Sequence, residues 1–407
     1  MDNTLPVIHV INGRQKKLLQ GHPWVYGNEI ERVEGEPQDG GLVTVVDFRG
    51  RYMGTGFYNS RSLITVRLLT HRSEEITDAL IASRVAAACA YRRFVMQRPG
   101  TDSCRLIYGE ADRLPGVIAD RFGPVIVLQV LALGMERYTQ VIADALVAAE
   151  QPACLLLQND DAIRRKEGME CFTKVLYGAL PEETVISENG IRLSVDVMGG
   201  QKTGYFLDQK DNHLFLRQFC NGARVLDCFS YIGGFALNAV AGGAREVTAV
   251  DISEDAVSRI RRNAQLNGMQ VEAVCANCFD FLRAQVKAGE RYDVVVLDPP
   301  AFTKAHANMA NACRGYKEIA LSAMRLLPAG GVLATHSCSY HMPEDVFVNT
   351  VLSAAQDLHR QVRVITLRRQ DIDHPVLAGY PESHYLKSLW LQMLDCRKCA
   401  QIERKFP

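Results

Sequence analysis

What this chain lacks first is an excess of charge of either sign. Lysine and arginine total 46, aspartate and glutamate also 46, and the formal net charge is zero. That balance excludes a surface coated in positive charge, although a local basic face still suffices for phosphate contacts. No apolar run approaches the ~20 residues that a membrane helix needs. The first residues, MDNTLPVIHV, lack the basic start and long apolar stretch of a secretory signal. Residence in the cytoplasm, away from any membrane, is the expectation. No internal repeat or low-complexity tract is visible. The apolar fraction of 47% and charged fraction of 23% are ordinary for a globular protein. A length of 407 residues exceeds one compact core and points to two or three domains.

Cysteine, by contrast, is plentiful: twelve residues, scattered along the chain. In a reducing compartment these are free thiols, mostly buried as small hydrophobes. Two C-x-x-C pairs occur, Cys275/Cys278 and Cys396/Cys399, but 117 residues separate them. A zinc ribbon spaces its pairs by ~15–20 residues, so no metal is expected.

Three regions differ in pattern. Residues 1–72 read as a small β module, with strands at Leu42–Asp47, Arg51–Phe57 and Leu63–Leu69 and a short helix Arg14–Leu19 ending at Gly21. Nine basic and seven acidic residues leave it a weak positive lean of +2. Residues 73–187 read as α+β, with helices Glu74–Met96 and Arg137–Glu150 around strands at Cys104–Tyr108, Gly116–Asp120 and Val125–Val130. From 188 to 407 strands and helices alternate: strands at Arg224–Cys228, Glu246–Asp251, Tyr292–Leu297 and Gly331–Thr335, helices at Phe235–Ala241, Ser253–Asn267 and Tyr316–Leu327. Such alternation predicts an α/β fold with a parallel doubly wound sheet.

In VLDCFSYIGGFALNAVAGGAREVTAVDIS, the first strand of that region ends near Asp227. A turn with Gly233 and Gly234 follows, and the next strand ends in Asp251, 18 residues after Gly233. Glycines allow close approach of a ligand, and an acid at that distance grips ribose hydroxyls. The turn is not G-x-G-x-x-G. Asp227 and Ser230 crowd the place of a pyrophosphate, and a carboxylate there repels phosphate and attracts an amino group. The residues therefore favour S-adenosylmethionine over a dinucleotide. A later strand ends near Asn277, which could meet the adenine. Another ends in LDPPAF, whose prolines stop the strand with Asp298 over the crevice. Gly200–Asn212, GQKTGYFLDQKDN, reads equally as a ligand cover or as a helix entry capped by Asp208 or Asp211.

Together these motifs resemble the bacterial large-subunit ribosomal RNA cytosine-5 methyltransferases that carry an N-terminal PUA domain. GHPWVY (Gly21–Tyr26) and Val46–Ser62 are similar to the PUA domain, an RNA-binding module. Tyr108–Gly123 is similar to the central domain. GQKTGYFLDQ, LDCFSYIGGFA, DPPAF, RGYKEIALSAMRLL and SCS are similar to the catalytic domain, and HPVLAGYPESHYLK (His374–Lys387) to the C-terminal signature. The resemblance implies a class I, Rossmann-like S-adenosylmethionine methyltransferase domain. Phe206, Asp208 and Gln209 would close the cofactor site; Asp227, Ser230 and Gly233 would face the methionine part and Asp251 the ribose. At Asn277 the family often has Asp; the Asn oxygen could still accept from the adenine amino group. The implied partner is 23S ribosomal RNA or a large-subunit assembly intermediate, with a homodimer as one possible assembly.

Carbon 5 of cytosine is a poor nucleophile, and a thiolate added to carbon 6 activates it. Cys338, in THSCSYHM after a short apolar run, is the expected nucleophile, and Asp298 the carboxyl that holds the ring-nitrogen edge. Where some such enzymes place a second cysteine after Pro-Pro, this chain has Ala301. In an extended segment His336 projects to the same face as Cys338, which suggests that His336 lowers the thiol pKa. Phe302 could stack on a flipped base, and Arg314, Tyr316 and Lys317 could contact the RNA backbone. The alternatives are a guanine-nitrogen methyltransferase, which carries Ser-Asn-Asn at 337–339, and a non-catalytic S-adenosylmethionine sensor that binds RNA. An intact Cys338 with Asp298 disfavours both.

Overall fold

The computed structural model describes residues 5–200, 202–302 and 308–394. They form two compact units. The first draws on the chain up to Ser187, on Val195–Leu207 and on Ile372–Ser383; the second on Glu188–Ser194, on Asp208–Asp371 and on the chain from His384 onward. The six-stranded and five-stranded sheets of the first unit lie on either side of residues 72/73. Two segments expected in the third domain, Val195–Leu207 and Ile372–Ser383, pack in the first unit.

The first unit contains two sheets. One is six-stranded, built from β1 (Val7–Val10), β2 (Trp24–Val25), β3 (Ile30–Glu34), β4 (Leu42–Val46), β5 (Tyr52–Tyr58) and β6 (Val66–Thr70), with the short helix α1 (Gln15–Leu19) after β1. Its order is β2-β6-β5-β4-β1-β3. Alternate residues of these strands, Ile8 and Val10, Val43 and Val45, Val66 and Leu68, point into one core. The flanking strands β1 and β3 were missed because they are short and bear His, Arg and Glu. Next come α2 (Asp78–Val95), β7 (Ser103–Tyr108), β8 (Val117–Phe122), β9 (Val125–Val130), α3 (Thr139–Glu150), β10 (Cys154–Asn159), α4 (Ala162–Lys166) and β11 (Phe172–Gly178). The five strands pair in the order β11-β10-β9-β8-β7. Arg67 of β6 reaches Glu110, in the turn after β7, at 2.9 Å and Glu167, just after α4, at 3.2 Å.

Ile372–Ser383 holds the first ten of the fourteen residues of the C-terminal signature. Tyr380 packs against Trp24 with ring centroids 4.8 Å apart, and His22 meets Glu382 at 3.2 Å. Asp373 accepts the Arg105 amide at 2.9 Å. The signature thus braces the first unit, while its last four residues, His384 to Lys387, belong to the second.

The hairpin β12 (Thr184–Glu188) and β13 (Ile191–Val195) leads into the second unit. There follow α5 (Lys210–Leu216), β14 (Arg224–Cys228), α6 (Gly234–Ala241), β15 (Glu246–Asp251), α7 (Glu254–Leu266), β16 (Glu272–Cys275), α8 (Cys278–Ala288), β17 (Val294–Leu297), α9 (Met309–Leu326), β18 (Val332–Ser337), α10 (Glu344–Asp357), β19 (Val362–Arg368) and β20 (Lys387–Met393). The sheet order is β16-β15-β14-β17-β18-β20-β19. β14 to β18 are parallel as expected, but β20 runs antiparallel to β18 and to β19. Both faces are covered. Val294 and Val296 point to the α5/α6/α7 side, Val295 and Leu297 to the α8/α9/α10 side, so the strand is apolar without interruption. In α9, Ala312, Tyr316, Ile319, Ala320 and Ala323 recur at helical spacing and are buried.

Candidate active site

Ligands of open α/β sheets bind beyond the carboxyl ends of the strands, where the strand order reverses. Here that point lies at β14, flanked by β15 and β17. Asp227 in β14 is fully buried. Its Oδ2 accepts from the Ser230 hydroxyl at 2.6 Å and the Ala236 amide at 3.0 Å. Its Oδ1 is buried and has no hydrogen-bond partner. Burial pushes this carboxyl up to about 7; the Asp251 charge adds to the rise, while Ser230, His213 and the Ala236 amide oppose it.

The turn after β14 is strained. Phe229, Tyr231 and Gly233 all adopt left-handed backbone, with φ of 62°, 51° and 93°. Two of these are non-glycine residues, and such strain concentrates at functional sites. Binding partners hold it: the Phe229 amide donates to Cys278 Sγ at 3.3 Å, the Ser230 amide to the Val250 carbonyl at 3.0 Å and the Tyr231 amide to Asp251 Oδ2 at 2.9 Å. Asp251 Oδ1 accepts the Ser253 amide at 3.0 Å. Asn277 caps α8, its Oδ1 accepting from the Phe279 amide at 2.9 Å and the Asp280 amide at 3.4 Å. The oxygen expected to meet an adenine amino group is therefore committed to the helix. Any contact from Asn277 to the base would come from its side-chain NH₂.

Asp298 follows β17 and donates its amide to the Cys228 carbonyl at 3.3 Å. Gln209 Nε2 donates to Asp298 Oδ2 at 3.0 Å, and Asn212 Nδ2 donates to Gln209 Oε1 at 2.7 Å. Burial pushes Asp298 up to about 7, and the Asp208 charge adds to it, against His213 and the Gln209 hydrogen bond. A carboxyl so placed is poised between acid and anion near neutral pH. Asp208 accepts from the Tyr385 hydroxyl. Asp208 and Gln209 thus stand with the crevice residues. Phe206 belongs to the first unit, where Lys202 Nζ lies 4.4 Å from its ring.

Cys338 follows β18, half-buried, and Leu297 of β17 pairs with Thr335 of β18. Cys338 and Asp298 therefore emerge from the ends of adjacent parallel strands. Cys338 forms no disulfide. His336 does not activate it. Its ring is fully buried, stacked on Phe235 at 4.9 Å and edge-on to Trp390 at 6.0 Å. Neither ring nitrogen has a hydrogen-bond partner, and burial lowers its pKa to about 3. The alternation that gave it the thiol's face breaks down where the strand ends after Ser337.

Tyr316 is also not an RNA contact. It is 1% exposed, and its hydroxyl bridges Ser337 Oγ at 2.9 Å and Ser339 Oγ at 3.2 Å. Phe302 packs on Tyr316 with centroids 4.7 Å apart, on the core side. Lys317 pairs with Asp357 at 2.8 Å and Arg314 with Asn311. Of the C-x-x-C pairs, Cys275 is exposed and Cys278 buried, and Cys396/Cys399 lie outside the described residues. Sequence reasoning assigned no role to Lys387 or Tyr385. Both were in view, within the HYLK end of the signature.

Comparison with known proteins decides the class. Residues 8–71 match the PUA-like domain family and residues 116–373 the S-adenosylmethionine-dependent methyltransferase family. Ribosomal RNA large subunit methyltransferase I of Klebsiella pneumoniae is 42% identical over 391 residues, covering 95% of this chain and 98% of its own. The protein of the same name from Salmonella enteritidis is 41% identical over 387 residues, covering 94% and 96%. The chain belongs to the ribosomal RNA large subunit methyltransferase I family. It is an S-adenosylmethionine-dependent methyltransferase. A Streptococcus mutans protein, solved as a candidate SAM-dependent methyltransferase, shares the fold, with a TM-score of 0.82 over 95% of this chain and 99% of its own at 20% identity. The family cofactor fits the residues present, because the orphaned, buried Oδ1 of Asp227 is an acceptor suited to the amino group of a bound amino acid.

Proposed function

We propose that the protein methylates carbon 5 of a cytosine in 23S ribosomal RNA through a covalent adduct on Cys338. The observation that carries this reading is Cys338 and Asp298 at the ends of neighbouring parallel strands, the acid raised to about 7 by burial. When bound, S-adenosylmethionine supplies an electrophilic methyl group. Asp227 and Ser230 would hold its amino-acid end, Asp251 its ribose and Asn277 its base, with Asp208 and Gln209 beside Asp298.

The Cys338 thiolate adds to carbon 6 of a cytosine flipped from its stack. Electron density moves to carbon 5, and Asp298, in its acid form, donates a hydrogen bond to the ring-nitrogen edge and stabilises the adduct. Carbon 5 takes up the methyl group, its proton passes to solvent water, and the thiolate leaves as the ring double bond reforms. Ala301 supplies no second thiol, so release depends on that elimination. The PUA-like domain would contribute RNA binding. The substrate is 23S ribosomal RNA or a large-subunit assembly intermediate in the cytoplasm, with the enzyme acting singly or as a homodimer.

Bisulfite sequencing of 23S ribosomal RNA from cells with and without the gene tests this directly. One 5-methylcytosine is expected to vanish with the gene and return with the wild-type copy. Persistence of every such site would refute the reading.

A further inference from the structure

The segment that carries Cys338 is pinned from two elements. From α9, the Tyr316 hydroxyl bridges the side chains of Ser337 and Ser339. From β20, Lys387 Nζ donates to the Ser339 carbonyl at 2.7 Å and to the Tyr385 carbonyl at 2.7 Å. Lys387 reaches there because Ser337 pairs with Lys387 across the antiparallel β18/β20 ladder. The residues on either side of the thiol are thereby fixed.

Lys387 is only 4% exposed, an unusual place for an ammonium. Buried cations are normally matched by a carboxylate. Among the described residues none forms an ion pair with Lys387, and Glu344 at the start of α10 lies by His384 at 3.8 Å instead. Two of the three ammonium donors serve carbonyls, which leaves one donor and the positive charge unmatched. The titratable groups that act on or feel Lys387 are Cys338 after β18, Glu344 on α10 and His384 ahead of β20, while Tyr316 on α9 holds the same Ser339 by its side chain. Burial lowers Lys387 to about 8, while a charge on Cys338, and next Glu344, acts to raise it. The same thiolate charge adds to the burial that raises Tyr316 to about 12, so Tyr316 stays neutral.

We propose that Lys387 is the positioning residue that supplies the counter-charge of the Cys338 thiolate, the role the sequence suggested for His336. The Sγ proton passes to solvent water while Nζ stays an ammonium on the Ser339 carbonyl, and thiolate and ammonium form an ion pair. This deepens the reading of Cys338 as nucleophile and rests on it.

Peptide-resolved mass spectrometry of iodoacetamide alkylation at Cys338, across pH, tests it on the full chain without RNA. In the wild-type protein the midpoint is expected below the ordinary thiol value of about 8.5. Lys387→Met is expected to raise it by about one pH unit or more and to slow alkylation at pH 7 about tenfold. Lys387→Arg, which keeps the charge, is expected to hold the midpoint within about half a unit. Tyr316→Phe, which removes a pin but no charge, is expected to do the same. An unmoved midpoint in Lys387→Met overturns the proposal. Should that variant fail to fold, a raised midpoint in Lys387→Arg, or a wild-type midpoint above the ordinary value, overturns it equally. Failure of the cytosine reading looks different: the Met variant shifts the midpoint, yet Cys338→Ala retains 5-methylcytosine formation.

Discussion

The two halves of the crevice share one sheet edge but are built differently. In the half under β14 and β15, Asp227, Ser230, Gly233 and Asp251 come from one continuous stretch, a strained turn between two strands. In the half under β17 and β18, Asp298, Cys338, Tyr316 and Lys387 come from four separate stretches of the chain, brought together by the sheet. On the proposed reading, the first half would anchor the cofactor through local geometry. The second would tune a thiol through neighbours that only the fold supplies. The halves should therefore fail independently.

The largest effect belongs to the second half. Cys338→Ala is expected to lower methyl transfer by at least roughly 10³-fold, because an adduct-forming nucleophile has no substitute. Cofactor affinity by calorimetry should stay within about threefold. Loss of both together would mean that the halves are not separable. Asp298→Asn comes next, with an expected fall of about 10²–10³-fold in kcat, the range of a lost general acid. A fall confined to KM would contradict its assignment to the reacting base.

Asp227→Asn breaks the other half. Removing one ionic hydrogen bond, worth ~1.5–3 kcal/mol, should weaken cofactor binding about 10- to 100-fold and leave kcat at saturation nearly unchanged. The same variant reads out pH. Asp227 is raised to about 7 in the folded, ligand-free protein from 3.8. The folded state therefore holds that proton more tightly than the unfolded chain. Its contribution to stability is complete below about pH 4 and is lost as pH rises through about 7. The stability of wild type relative to Asp227→Asn should drop by about 2–4 kcal/mol between pH 4 and 8, measured by urea unfolding. A difference independent of pH would contradict the burial of this acid. The smallest effect is His336→Phe. Because neither ring nitrogen is hydrogen-bonded, an apolar ring of similar shape should change stability by only about 1 kcal/mol and leave the alkylation midpoint of Cys338 in place.

The same contrast explains what was legible in the sequence. Strand–helix alternation with apolar runs such as Val294–Leu297 announced the sheet, because a strand buried on both faces has no polar alternation to confuse it. That Asp227, Ser230, Gly233 and Asp251 meet around one turn was legible because their spacing is local. Lys387 was not. Its meaning depends on the antiparallel pairing of β20 with β18, which no periodicity in the chain records. His336 was misjudged for the complementary reason. Side-chain alternation, which ends with the strand at Ser337, did not carry to Cys338, and packing against Phe235 and Trp390 leaves the ring sealed and neutral. Tyr316 was likewise read as a surface group, although its hydroxyl is spent on Ser337 and Ser339. Asn277 was placed at the right strand end, but its oxygen caps α8.

The most direct measurement is to offer the enzyme, with S-adenosylmethionine, 23S ribosomal RNA that carries 5-fluorocytosine. Fluorine at carbon 5 blocks the loss that releases the thiolate, so the adduct persists. The account predicts a stable protein–RNA species whose cross-linked peptide contains Cys338 and which is absent from Cys338→Ala. A species attached through another cysteine, or none at all under conditions where unmodified RNA is methylated, would contradict it.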